Sequence, residues 1–168
     1  MGQPNRMRNV FRGVTVAVAT VAFGVFASPA GATSGAHFFS SSGSVDNGGA
    51  LVVSFDEAGV GQQLVNYTLH VDTASATYAC INGGGNHPKA ANKETHSSSL
   101  TAQASFNPTN GRVKASISTG PVSAGSFSCP GGQRLVLASV SYSGITLTDT
   151  TNNVTTTVAD TSRTFFDI

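Results

Sequence analysis

Two histidines and a glutamate in one short stretch are the residues best suited to metal chemistry. His87, Glu94 and His96 lie within ten residues of one another, and imidazole nitrogens and carboxylate oxygens are ligands that zinc accepts. His70 and Asp72 form a second pair that projects from one face of a strand. Zinc needs three such groups to converge, and histidines separated by nine positions in a loop define no fixed geometry. The sequence therefore predicts no metal site and no cofactor, with a metal-binding protein or hydrolase using His87, Glu94 and His96 as the alternative.

Nucleophilic serine and paired-carboxylate chemistry also lack an assembled pattern. The chain has no Gly-x-Ser-x-Gly turn, the motif that exposes a nucleophilic serine after a strand. Glycoside hydrolysis needs two acids across a substrate, and adjacent side chains such as Asp56 and Glu57, in a predicted turn, diverge. The remaining acids considered for such a pair are Asp72, Glu94 and Asp149. We therefore expect a protein that is not an enzyme.

The two cysteines of the chain, Cys80 and Cys129, predict one disulfide, because paired cysteines in an exported protein are normally oxidised. By the chain-entropy model, closing a loop of about 50 residues is worth about 4 kcal/mol. The bond would bring two glycine-rich segments to one end of the domain. Loops at such an end often bind ligands, and glycine lets a backbone approach one closely. The candidate ligand loops are Asn82, Gly83, Gly84, Gly85, Asn86, His87, Pro130, Gly131 and Gly132.

The N-terminal residues have the pattern of a cleaved signal peptide. Three arginines within the first twelve residues precede an uncharged, apolar run from Val14 to Phe26. Ala30, Gly31 and Ala32 then supply small residues at a cleavage point after Ala32. Thirteen apolar residues are fewer than the roughly 20 that a membrane-spanning helix needs. Residues 1–32 are therefore predicted to be a signal peptide, and the mature chain a secreted, extracellular protein without membrane association.

The mature composition favours strands and excludes polyanionic partners. Removing residues 1–32 takes away three of nine basic and none of eight acidic residues, which leaves a net charge of −2. Such a chain has no basic surface for nucleic acid or anionic membranes. Serine and threonine supply 37 of the 136 mature residues, and threonine and valine have branched side chains that suit strands. We expect a flexible Gly/Ser-rich leader at residues 33–49 and one domain at residues 50–168. Within the leader, Phe38 and Phe39 are either disordered or a short strand that joins the edge of the sheet.

Alternating apolar residues predict an all-β domain. Leu51, Val53 and Phe55 share one face of a first strand, and alternation resumes in a second strand at residues 65–71. Seven to nine short strands with frequent turns and one disulfide are typical of an antiparallel, immunoglobulin-like β-sandwich. An open barrel is the competing architecture.

Four further local features are predicted from the sequence. The third strand covers residues 77–81 and is followed by a long loop, residues 82–97, with room for a helical turn at residues 90–94. A long strand at residues 134–148 changes phase at Gly144, where glycine permits a bulge. Phe165 and Phe166 are predicted to form an anchoring edge strand.

The segments around the two cysteines resemble a family of small secreted actinobacterial proteins. The resemblance rests on Thr77-Tyr78-Ala79-Cys80-Ile81-Asn82-Gly83-Gly84-Gly85-Asn86-His87-Pro88, on Phe127-Ser128-Cys129-Pro130-Gly131-Gly132-Gln133 and on Val140-Ser141-Tyr142. It extends over residues 51–153. It implies export and the disulfide, and brings no activity or ligand.

The leading functional prediction is a secreted, non-enzymatic domain with a binding or cell-surface role. The partner would be a cell-wall component or an extracellular protein, and the loops at the disulfide end would contact it.

Overall fold

The computed structural model describes residues 35–82 and 92–168, which contain eight β-strands. Their bounds are β1 (His37–Val45), β2 (Leu51–Ala58), β3 (Val65–Asn82), β4 (Lys93–Phe106), β5 (Arg112–Thr119), β6 (Gln133–Asp149), β7 (Val154–Val158) and β8 (Thr161–Thr164). All the paired strands are antiparallel. The predicted all-β class is confirmed.

The strands form two sheets packed face to face. One sheet has the order β1-β2-β5, and the other has the order β4-β3-β6-β7, with β8 pairing β6 beyond the end of β7. As in an immunoglobulin-type sandwich, β2 and β5 lie in one sheet and β3 and β6 in the other, whereas β4 pairs with β3 and not with β5. The predicted antiparallel sandwich is therefore confirmed, and its strand order is consistent with the immunoglobulin-like form.

The core lies between the sheets and is built by period-2 alternation. Leu51, Val53 and Phe55 of β2 face Tyr67 and Leu69 of β3, and all five are buried. Burying one face of each sheet removes apolar area from water, which is the main stabilising term of such a fold. A smaller cluster covers the outer side of the longest strands and contains Ala79, Ile81, Val136 and Ala138, with Phe166 and Ile168 packed against it.

The flexible leader is wrong for residues 37–45, because β1 pairs with β2 along its length, and the alternative of an edge strand at Phe38 and Phe39 is confirmed. Phe38 turns inward and packs edge-on against Phe55, with ring centroids 6.0 Å apart. A register shift between Phe38 and Ser40 lets the intervening Phe39 remain exposed. Apolar contact by one phenylalanine thus gives a serine-rich segment a place in the sheet.

Three predicted boundaries also need correction. The predicted turn from Asp56 does not begin there, because β2 continues to Ala58. The predicted second and third strands are one strand, β3, and the predicted long loop ends early because β4 starts at Lys93. Lys93 and Glu94 are consequently extended, not helical, since both pair with β3. Residues 83–91 lie outside the described residues.

At the C-terminus, the edge strand is β8, which precedes Phe165. The amides of Phe165 and Phe166 both donate hydrogen bonds to the carbonyl of Ala138, at 2.8 and 3.1 Å. The two phenylalanines therefore anchor the chain as expected, but from a turn that follows the strand.

The predicted change of phase at Gly144 is present, but it leaves the β3–β6 register intact. The Cα pairs on either side of Gly144, Val71–Ile145 and Thr73–Ser143, keep the same register. The register is kept because the inward-facing positions of β3 also shift by one residue here, between Val71 and Ala74. The resulting irregularity lies between β3 and β4. Gly144 has φ +65°, and a side chain there would collide with Asp72. Glycine is therefore required at this position.

Candidate functional site

The disulfide predicted from the sequence is present. Cys80 and Cys129 are bonded, with their Cα atoms 5.5 Å apart. Cys80 is buried near the end of β3, where its amide donates a 3.0 Å hydrogen bond to the carbonyl of Asn92. The bond holds the segment before β6 against the end of β3. We call this region, residues 78–82 and 120–133, the disulfide end.

The candidate ligand loops are partly within the described residues. Asn82 is the exposed last residue of β3, and Pro130, Gly131 and Gly132 form an exposed turn before β6. Gln133 closes this turn by donating its amide hydrogen to the carbonyl of Pro130, at 3.1 Å. A Cβ at either glycine would meet no atom of the described residues within 4 Å. Gly83, Gly84, Gly85, Asn86 and His87 lie outside the described residues.

The remaining metal candidates form two separate pairs. His96 Nε2 lies 3.3 Å from Glu94 Oε1 on β4, and His70 Nε2 lies 3.2 Å from Asp72 Oδ1 on β3. His70 pairs with Thr101, so the two histidines are five positions apart along β4, roughly 16 Å. Within residues 35–82 and 92–168, no group of three or more His, Cys, Asp or Glu is placed to hold a metal ion.

His96 packs beneath the loop that the disulfide holds. Its ring lies edge-on to Tyr78, with centroids 6.3 Å apart, and Gly125 approaches it from above. Its Nε2 is enclosed and makes no hydrogen bond of normal geometry with the described residues, although Glu94 is at ion-pair distance. The Tyr78 hydroxyl donates a 2.8 Å hydrogen bond to the carbonyl of Val122, and burial raises the pKa of Tyr78. In this structure His96 is a packing residue of the disulfide end.

A buried polar cluster at the opposite end of the sandwich was missed by the sequence reasoning. Glu57 and Asp149 are completely buried, and the Tyr67 hydroxyl donates a 2.7 Å hydrogen bond to Glu57 Oε2. We call Glu57, Tyr67 and Asp149 the acid cluster. The sequence contains a signal for this cluster. Continuing the alternation beyond Phe55 and beyond Leu147 makes Glu57 and Asp149 the next inward-facing positions.

Burial dominates the electrostatics of the acid cluster. It raises the pKa of Glu57 to about 7, the hydrogen bond from Tyr67 opposes the shift, and the charge of Asp149 adds to it. Burial also raises the pKa of Tyr67, and its hydrogen bond to Glu57 and the nearby acids add to that rise. Glu57 and Tyr67 therefore hold their protons more tightly than the same groups would in water.

Asp149 also closes the turn between β6 and β7. Its Oδ1 accepts hydrogen bonds from the amides of Thr151 and Asn152, at 2.8 and 2.9 Å, and its Oδ2 accepts one from the Asn152 side chain, at 2.6 Å. Asparagine and aspartate commonly stabilise turns in this way. Asp149 thus links the acid cluster to the local geometry of the hairpin.

Two open clefts lie along β5. The larger, of about 440 Å³, is lined by Phe106, Asn107, Thr109, Arg112, Val113 and Lys114. The smaller lies on the serine-rich outer face of the three-stranded sheet and also includes Lys114. Asp56 accepts hydrogen bonds from Arg112 at 2.5 and 2.6 Å, and these bonds lower the pKa of Asp56. None of the sequence-predicted ligand or metal residues that the structure describes lines either cleft.

The comparisons leave the site to be interpreted from its own geometry. No protein-family model matches the sequence, and neither a curated protein nor a solved structure matches it. None of the described residues forms a helix long and apolar enough to cross a membrane.

Proposed function

We propose that this chain is exported by a cleaved signal peptide and acts outside the cytoplasm as a non-catalytic binding domain, through loops at the disulfide end. The observation that carries the proposal is the exposed turn at Pro130–Gly132, which Cys129 ties to the end of β3. A loop that is already held in one conformation loses less entropy on binding. The ligand would be a component of the cell wall or an extracellular protein.

Two features support the export part of the proposal. The N-terminal arginines and the apolar run before Ala32 have the order of a signal peptide. The Cys80–Cys129 bond is the redox state expected outside a reducing cytoplasm. We expect mass spectrometry of protein from the culture medium to find Thr33 as the first residue and two cysteines without free thiols. An uncut N-terminus on intracellular protein would contradict export.

Open glycines at opposite ends of the domain provide a matched test of binding. Among the described residues, a Cβ at Gly131 or at Gly35 would meet no atom within 4 Å, and neither glycine has a positive φ, so both positions are suitable for an arginine substitution. We expect labelled wild-type protein to sediment with washed cell walls or to bind an extracellular protein fraction. Gly131→Arg should reduce this binding at least tenfold, and Gly35→Arg should leave it unchanged. Equal binding by all three proteins would exclude the disulfide end, and no binding by the wild type would refute the proposal.

A further inference from the structure

The acid cluster connects the two sheets at one end of the sandwich. Glu57 belongs to β2 in the three-stranded sheet, whereas Tyr67 and Asp149 are a directly paired couple on β3 and β6 in the other sheet. Glu57 and Asp149 are 0% exposed and Tyr67 is 1% exposed. A carboxylate enclosed in this way needs hydrogen-bond donors or a proton, because water is not available to solvate its charge.

The available donors do not suffice for two ionised acids. Glu57 Oε2 accepts the Tyr67 hydroxyl hydrogen, but Glu57 Oε1 is enclosed and has no hydrogen-bond partner of normal geometry among residues 35–82 and 92–168. Asp149 already accepts three hydrogen bonds from its own turn. An ionised carboxylate has no hydrogen to donate. Only the protonated form of Glu57 can therefore donate a hydrogen bond to the Asp149 carboxylate, whose charge and hydrogen bonding raise the pKa of Glu57.

The other groups around Glu57 do not remove the need for this proton. The charge of His37 on β1 favours the ionised form of Glu57, but it is the weakest of the effects on the pKa of Glu57. The His37 side chain is also hydrogen-bonded to the Gly35 carbonyl. On β5 the residue paired with Glu57 is Val113, which is apolar and buried. On β1 its partner is Phe38, and Tyr67 on β3 and Asp149 on β6 are the other titratable groups that act on it.

We propose that the proton on Glu57 is a latch that joins the two sheets at this end, and that its loss opens this end of the sandwich. The raised pKa of Glu57, about 7 against an ordinary value of 4.5, agrees with the geometry. Between these two values the closed state holds one more proton than the open state. The latch is therefore at full strength below pH 4.5, weakens as the pH rises, and is lost above pH 7.

Opening would change the larger cleft but not the disulfide end. The Phe106 ring, which lines that cleft, lies 5.9 Å from the Tyr67 ring, and Phe55 packs against both. Cys80 is thirteen residues from Tyr67 along the same strand, roughly 40 Å away. The proton would consequently control one end of the molecule.

Hydrogen exchange measured as protection factors between pH 5 and pH 8 tests the latch. We expect the opening equilibrium at Ala58, Tyr67 and Thr151 to rise by up to about tenfold per pH unit until pH 7 and then to level off. Glu57→Gln, which keeps the shape but cannot ionise, should abolish this rise. Asp56→Asn is the matched control, because Asp56 is the adjacent acid on the solvent-facing side, and it should preserve the rise.

Two results would overturn the latch. One is a wild type and a Glu57→Gln variant with the same pH dependence, and the other is a rise of equal size at Ile81 and Asn82. If Glu57→Gln does not fold, the carboxyl carbon of Glu57 in the wild-type protein can be titrated by NMR. A midpoint near 7 would support the latch, and one near 4.5 would refute it.

Discussion

The two ends of the sandwich are held by different chemistry. At the disulfide end, a covalent bond joins β3 to a Gly/Pro-rich turn, and the neighbouring side chains are largely apolar or small. At the other end, the acid cluster joins the sheets through one short hydrogen bond and a proton. The first link is broken by reductant and does not depend on pH when reductant is absent. The second depends on the proton of Glu57 and not on reductant.

One small domain can therefore have one end that is closed under all non-reducing conditions and another end whose closure depends on pH. A disulfide lowers the entropy of the unfolded chain under all non-reducing conditions. A buried acid stabilises the folded state only while its protonation state suits its surroundings. We therefore expect reductant and alkali to weaken opposite ends of the molecule.

The largest expected effect is loss of the disulfide. Replacing both Cys80 and Cys129 by serine should lower the unfolding free energy by about 4 kcal/mol, because the bond closes a loop with a sequence separation of 49. Urea unfolding at pH 5 and pH 8 measures the change. The loss should be the same at both pH values, and a strongly pH-dependent loss would break the distinction between the ends.

Removing the hydroxyl of Tyr67 should have the next largest effect. Tyr67→Phe deprives buried Glu57 of its donor, which costs about 1–3 kcal/mol. Because this hydrogen bond favours the ionised acid, its loss should raise the pKa of Glu57 further. The destabilisation should accordingly be larger at pH 8 than at pH 5.

Tyr142→Phe is the control for that substitution. Tyr142 is equally buried, but its hydroxyl donates to a neutral group, the Gly49 carbonyl, at 2.5 Å. Its removal should cost a similar amount at both pH values. A pH-dependent cost for Tyr142→Phe would show that the acid cluster is not the source of the effect.

A smaller effect is expected within the turn at the disulfide end. Gly132 has φ +84°, whereas Gly131 is not in the left-handed region, and both face open space. Gly132→Ala should therefore cost about 1–2 kcal/mol from backbone strain, and Gly131→Ala should cost less. Thermal unfolding compares the two variants directly, and equal midpoints would mean that the turn is not held in this conformation.

The smallest effect is expected from the exposed charge pair between Asp56 and Arg112. Solvent and salt screen such pairs, so Arg112→Ala should barely change the thermal midpoint at physiological ionic strength. Because the hydrogen bonds from Arg112 lower the pKa of Asp56, the pair contributes most above the ordinary pKa and less as the pH falls. If Arg112→Ala lowered the thermal midpoint as much as Gly132→Ala does, the pair between Asp56 and Arg112 would contribute substantially to the stability of the fold.

The fold could be predicted largely from local patterns. Alternation at residues 51–55 and 65–71 has a local physical cause, the disulfide follows from the presence of two cysteines, and the structure confirms both. The sequence reasoning failed where distant contacts decide the conformation. Residues 37–45 contain many serines and glycines, and only pairing with β2 and contact with Phe55 make them a strand. Lys93 and Glu94 are extended because β3 is long enough to pair with them.

The candidate site divides in the same way. The sequence by itself determined which residues alternate inward, and hence that Glu57 and Asp149 follow apolar positions on their strands. Only the tertiary structure decided that these two acids, on different sheets, meet Tyr67 in one enclosed space. The physical reason is range: strand periodicity depends on neighbouring residues, whereas the protonation of a buried acid depends on solvent exclusion and on groups distant in the chain.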